Sequence, residues 1–160
     1  MTEGNVMATD EAPRPILAQA LPAGRVLALD VGDRRVGVAV CDERGMLTRP
    51  LTVFERGARA EDQARVIRLL AEQRAVGLLV GYPLNDDGTV GPQAQQTARY
   101  AQRLAAVVSV PVMLWDERLS TFEAEERLRA MGRRRRDAPG VDAVAAAIIL
   151  QSYLNHVEPR

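Results

Sequence analysis

The chain of 160 residues contains no lysine. All 21 basic residues are arginine, and 21 acids balance them to a formal net charge of zero. A neutral chain of this kind is not built for broad, non-specific adhesion to nucleic acid, although a local patch stays open. Any phosphate contact must come from a guanidinium, a hydroxyl, an amide side chain or the backbone. A single cysteine, Cys41, excludes an internal disulfide framework and a cysteine-rich zinc site. Cys41 has no evident base partner, so a thiol nucleophile is not expected. The one histidine, His156, stands at the C-terminal end, a poor place for a Ser-His-Asp relay. No apolar run approaches the ~18 residues of a membrane span. No basic-then-apolar leader opens the sequence, and the cytoplasm is the expected compartment. There is no Walker loop, and Gly32 and Gly37 are too far apart for a dinucleotide cradle. Chemistry that cannot rest on histidine or cysteine is left to carboxylates.

What is present suits one soluble domain. Apolar residues make up 47% and charged residues 26%, and a chain of this length builds a core without staples. Residues 1–24, with Pro13, Pro15 and Pro22, read as a tail, so the ordered domain is expected from Arg25 to about His156. Residues 26–30, 36–41 and 47–54 read as three strands joined by turns at Gly32 to Arg35 and Asp42 to Gly45. Pro50 marks the third as an edge strand or a strand start. Ala64, Ile67, Leu70 and Ala71 then fall at helical spacing within 59–74. Residues 76–80 read as a buried strand, 82–92 as a loop, 93–107 as a helix and 110–115 as a strand. A helix is expected over 121–131, with Ser120 and Glu123 as a capping box, then a basic link over 133–140. A last apolar helix covers 141–153. A meander followed by β-α-β units predicts a mixed five-stranded α/β sheet, three strands antiparallel and two parallel, flanked by helices.

Three acids stand out by position. Asp30 closes the first strand, Glu117 follows the fifth strand beside Asp116, and Asp142 lies in the first turn of the last helix. Sites in open α/β sheets collect at the carboxyl ends of strands. Asp142 reaches that place if the last helix crosses the sheet. A carboxylate cluster suits magnesium or manganese against a phosphate, and two such ions can activate water and stabilise a leaving oxygen. Each acid also has a plainer role: Asp30 at a turn, Glu117 paired with Arg118, Asp142 favouring the helix dipole.

The arginines divide in the same way. Arg34 and Arg35 either hold a nucleic-acid backbone or make a polar hairpin turn. Arg118 contacts phosphate or braces Asp116, with the brace slightly favoured. Arg133, Arg134, Arg135 and Arg136 form the one dense basic run, placed ahead of Asp142 and suited to phosphate contact. Trp115 and Phe122 flank Glu117 and are expected in the core rather than stacked on a base. Asn85 reads as a turn residue, and Gln93 can line the same cleft.

Four blocks together carry a resemblance. The run from Asp30 to Ala39 (DVGDRRVGVA), that from Val80 to Gly88 (VGYPLNDDG), that from Asp116 to Thr121 (DERLST) and that from Asp142 to Tyr153 (DAVAAAIILQSY) resemble, in order, the motifs of the YqgF/RuvX family. The resemblance covers residues 25–155. Arg34 replaces the family's usual lysine, and Asp86 stands where an apolar residue is common. The resemblance implies an RNase H-like fold and a metal-dependent nuclease. It further implies Asp30, Glu117 and Asp142 as catalytic acids that bind magnesium or manganese. The implied role is maturation of the small-subunit ribosomal RNA precursor, with Holliday-junction resolution as the alternative. A silent nucleic-acid-binding module or an actin-like ATPase relative fits less well. The expected partner is a structured RNA or branched DNA, and the chain is expected as a monomer or a non-covalent homodimer, with Cys41 not bridging copies.

Overall fold

A computed structural model of the chain describes residues 20–120, 122, 125–126, 129–130 and 140–157. Its strands are β1 (Val26–Val31), β2 (Arg35–Cys41), β3 (Thr48–Glu55), β4 (Gly77–Tyr82) and β5 (Val112–Asp116). Its helices are α1 (Arg59–Glu72), α2 (Pro92–Ala105) and α3 (Val141–His156), with a 3-10 turn at Glu117–Leu119. Phe122, Glu125, Glu126, Arg129 and Ala130 are helical too, within the helix expected over 121–131. Glu123 of the expected capping box lies outside the described residues. So does the basic run Arg133 to Arg136.

The five strands lie in the order β3-β2-β1-β4-β5. β1, β2 and β3 form the antiparallel meander, while β4 and β5 run parallel to β1. β3 is an edge strand, the place where Pro50 costs no ladder hydrogen bond. The hairpin between β2 and β3 is tied by Asp42, whose carboxylate accepts the main-chain N–H groups of Met46 (2.8 Å) and Leu47 (3.3 Å). The left-handed residue that turn needs is Gly45, at φ 66°.

Strand alternation sends side chains to two different layers. Leu27, Leu29, Val36, Val38, Leu78, Val80 and Leu114 face α1 and α2. Val26, Ala28, Ala39, Cys41, Leu79 and Met113 face α3. The second layer is made of smaller residues, and so is the helix above it: Ala143, Ala146 and Ala147 are fully buried. Small residues on both surfaces let α3 lie close to the sheet. Burial on more than one side explains why α3 shows no single apolar stripe. Cys41 is part of this packing: it is buried, and its sulfur accepts the Val26 N–H at 3.2 Å.

The packed unit takes in Leu21, four positions ahead of the expected start at Arg25. Leu21 is buried against Gly77, and its N–H donates to the Tyr153 hydroxyl at 3.1 Å.

Candidate active site

Three acids from three separate elements lie towards one end of the sheet. Asp30 is the penultimate residue of β1 and lies opposite Gly37 of β2. Leu29 pairs with Val80, so one step further Gly81 of β4 stands on the other flank of Asp30. Alternation from Val26 and Ala28 turns Asp30 to the α3 side. Glu117 opens the 3-10 turn immediately after β5. Asp142 is the second residue of α3.

The two flanking glycines make the convergence possible. A Cβ on Gly37 would overlap the main-chain carbonyl of Asp142, so only glycine lets the first turn of α3 rest on β2 beside Asp30. A Cβ on Gly81 would stand 2.6 Å from Glu117 Oε1 and 2.6 Å from Ile149 Cδ1. Neither glycine draws notice in the sequence as a site residue. The available signal was their place in strands next to an acid-bearing strand end.

Two of the acids, Asp30 and Glu117, are shifted upwards. Burial pushes the Asp30 carboxyl up to about 6, and the negative charge of Asp142 adds to the rise. Burial pushes Glu117 up to about 7, helped by repulsion from Asp30 and then Asp116. Among the described residues no three carboxylate, imidazole or thiol groups are gathered at metal-coordination spacing. One oxygen of Asp142 is instead engaged by Arg35 Nε at 3.2 Å.

The surrounding groups have structural jobs. Arg118 grips the Asp116 carboxylate through Nε and Nη2, the latter at 2.7 Å, and Nη1 reaches the Asp86 carbonyl at 3.2 Å. The Arg118 hydrogen bonds hold the Asp116 carboxyl below its ordinary range. Arg118 is therefore the brace between the β5 end and the 82–92 loop. Asn85 is a turn residue: its main chain bonds Thr89 and Gly88, and its amide donates to the Thr89 hydroxyl at 2.9 Å. Gln93 is exposed on the first turn of α2. Trp115 belongs to the core, donating Nε1–H to Ser152 at 3.1 Å and packing edge-on to Tyr153. Phe122 does not: it is 76% exposed. His156 caps the same core, with Nδ1 2.7 Å from the Ser152 carbonyl oxygen. Arg34 and Arg35 are exposed at the β1–β2 hairpin.

The family model of RuvX, described as Holliday junction resolvase, matches residues 24–156. A relative from Anaeromyxobacter dehalogenans, provisionally named a pre-16S rRNA nuclease, is 47% identical over 136 residues, covering 84% of this chain and 99% of that protein. A Synechococcus relative with the same provisional name is 43% identical over 142 residues, covering 88% of this chain and 95% of its own length. Among solved structures, Thermus thermophilus RuvC in complex with a Holliday junction substrate superposes with a TM-score of 0.56. It is 16% identical and covers 81% of this chain and 91% of its own. The yeast mitochondrial resolvase Ydc2 superposes at 0.51, with 10% identity, covering 88% and 81% respectively. These structural likenesses speak to the fold, which is RNase H-like, with the meander and two parallel strands in the arrangement described above. Match of nearly the whole described domain, at this level of identity, places the chain in the RuvX family of RNase H-like nucleases.

Proposed function

We propose that the chain hydrolyses phosphodiester bonds in the precursor of the small-subunit ribosomal RNA, with Asp30, Glu117 and Asp142 as its metal-binding and catalytic acids. The observation that carries the reading is the approach of the Asp142 backbone at Gly37 and of Glu117 at Gly81, on either flank of Asp30, where burial and then the neighbouring acids raise Asp30 and Glu117. Structural carboxylates are ordinarily paired and pushed down; two half-buried acids pushed up by burial and by neighbouring negative charge mark a site that lacks its counter-charge. The donor set is all oxygen, which suits magnesium or manganese. When bound, such a cation supplies an acidified water and neutralises charge at the phosphoryl group.

This chain's residues then have separate tasks. Asp30, on a strand between two glycines, is the fixed anchor. Glu117, with the higher protonation range, is placed to hold or pass a proton at its carboxylate. Asp142 must release Arg35 to join them, and that exchange frees the Arg35 guanidinium for the substrate backbone. Arg34 stands beside it in the same hairpin. The Arg133 to Arg136 run adds further phosphate contacts in this reading, ahead of the helix that carries Asp142. The relatives' names favour ribosomal RNA; the description of the family favours a four-way junction, whose resolution needs two sites related by a two-fold axis. We place the chain in the cytoplasm, acting as a monomer on RNA.

The test is cleavage of an RNA duplex bearing a single-stranded tail, of duplex DNA and of a four-way junction. Each is incubated with magnesium, with manganese and with chelator. The expected result is metal-dependent cleavage of the RNA, lost in Asp30→Asn with binding kept. Cleavage by that variant at the parent rate refutes the assignment of the acids. Paired symmetric nicks in the junction by a stable dimer would make junction resolution the function.

A further inference from the structure

Arg56, just beyond β3, is an exposed arginine that is nevertheless held in place. Its Nη1 donates to the Gly32 carbonyl at 3.0 Å, and its own N–H donates to the Arg34 carbonyl at 2.8 Å. Its guanidinium carbon lies 5.1 Å from the centre of the Tyr100 ring. Tyr100 is fixed in turn, because its hydroxyl donates to Asp62 at 3.2 Å. Asp62 is only 3% exposed, and also accepts the Gly57 N–H at 2.8 Å. An arginine gives up rotamer freedom when it is immobilised. Here much of that ordering precedes any ligand, which is the arrangement that strengthens binding.

The guanidinium stands between two hollows. One, of about 430 Å³, is bordered by Arg34, Arg35, Asp33 and Glu55, and leads back to the hairpin beside Asp30 and Asp142. The other, of about 220 Å³, lies between α1 and α2 and is bordered by Arg59, Arg103, Gln63 and Asp62. Asp62 is already engaged by Gly57 and Tyr100. Among the described residues the ion pairs use Arg25, Arg35, Arg118 and Arg129, not Arg56, Arg59 or Arg103. Three arginines thus border a small hollow with no acid in an ion pair to any of them among the described residues, and a phosphate is the anion that planar guanidinium donors fit.

We propose that Arg56, Arg59 and Arg103 form a second phosphate-binding subsite, which takes a backbone phosphodiester of the substrate away from the bond that is cut. This rests on the nuclease reading above and extends it. The arginine track from Arg34 and Arg35 through Arg56 gives the strand its path from the acids, over the hairpin, to the α1–α2 side.

The test uses the full chain in chelator, so that binding is separated from cleavage. Affinity for the tailed RNA duplex and for duplex DNA is measured against salt for the parent and for the triple variant Arg56→Ser, Arg59→Ser, Arg103→Ser. Each lost phosphate contact should flatten the slope of log affinity on log salt by about 0.9 on duplex DNA. Binding at low salt should weaken at least roughly tenfold. Tyr100→Leu keeps all three charges but frees Arg56, and should weaken binding without the full change in slope. If the triple variant proves unstable by its unfolding midpoint, the single variants Arg59→Ser and Arg103→Ser, on exposed helix positions, decide by their slopes. An unchanged slope and affinity overturn the subsite even if the chain cleaves RNA. Absence of cleavage with any metal defeats the nuclease reading, while the salt slope still judges the subsite. Calorimetry with inorganic phosphate separates the sources: phosphate binding lost in the variant, with the nucleic-acid slope intact, would make this a free-phosphate site and refute the proposal.

Discussion

Removing a charge from the acid cluster should make the protein more stable, not less, and only above a defined pH. Asp30 rises from 3.8 to about 6 in the fold, and Glu117 from 4.5 to about 7. The folded state therefore binds protons more tightly than the unfolded chain between about pH 4 and pH 7, and stability falls as pH rises through that window. At about 1.4 kcal/mol for each pKa unit, holding Asp30 ionised costs about 3 kcal/mol, and Glu117 costs a similar amount. The two acids repel, so the costs overlap, and the joint cost lies between about 3 and 6 kcal/mol. Asp42, Asp87 and Asp116 are shifted down, so their support is present above about pH 4 and is lost only below it, outside this window. Asp30→Asn removes one charge and relieves Glu117. It should gain up to about 3 kcal/mol over the parent near pH 8, less the cost of burying the amide, and the gap should close near pH 4. Denaturant unfolding followed by circular dichroism across that range, in chelator, measures both curves. A parent whose stability is flat or rising between about pH 4 and pH 7, or a variant that is less stable near pH 8, refutes the reasoning.

Magnesium should stabilise the parent near neutral pH by about 2.7 kcal/mol at a hundred times its dissociation constant, and should do much less for Asp30→Asn; equal shifts in melting temperature would place the ion elsewhere. Gly37→Ala should cost roughly 1–3 kcal/mol and abolish cleavage, because its methyl group must displace the Asp142 carbonyl. Gly81→Ala should cut cleavage more than stability, since Glu117 can swing away at its flexible end; unfolding midpoints and initial rates separate the two. Tyr153→Phe leaves the buried Leu21 N–H without the hydroxyl it donates to, and should lower stability by about 1–3 kcal/mol in thermal unfolding.

The order of strands and helices, and the three acids at their ends, could be read from the sequence. Period-two runs, turn residues and helical spacing are local properties. So are an acid at a strand end and an acid in a first helical turn. The meander could be expected because its hairpins close within a few residues. What the chain alone left open was whether the three acids meet, since that depends on α3 crossing β1 and β2 at the right height. The tertiary structure settles the height through Gly37, whose missing Cβ admits the Asp142 backbone, and through Gly81, whose missing Cβ admits Glu117. It also turned Phe122 outwards and made Arg118 a partner of Asp116. Arg56 had no sequence signal at all. Its distinction comes from Gly32 and Tyr100, residues 24 and 44 positions away that only the packed sheet and α2 bring to it. Local patterning thus determined the elements; the close approach of the Asp142 backbone at Gly37 and of the Glu117 side chain at Gly81 decided how near the three acids come to one another.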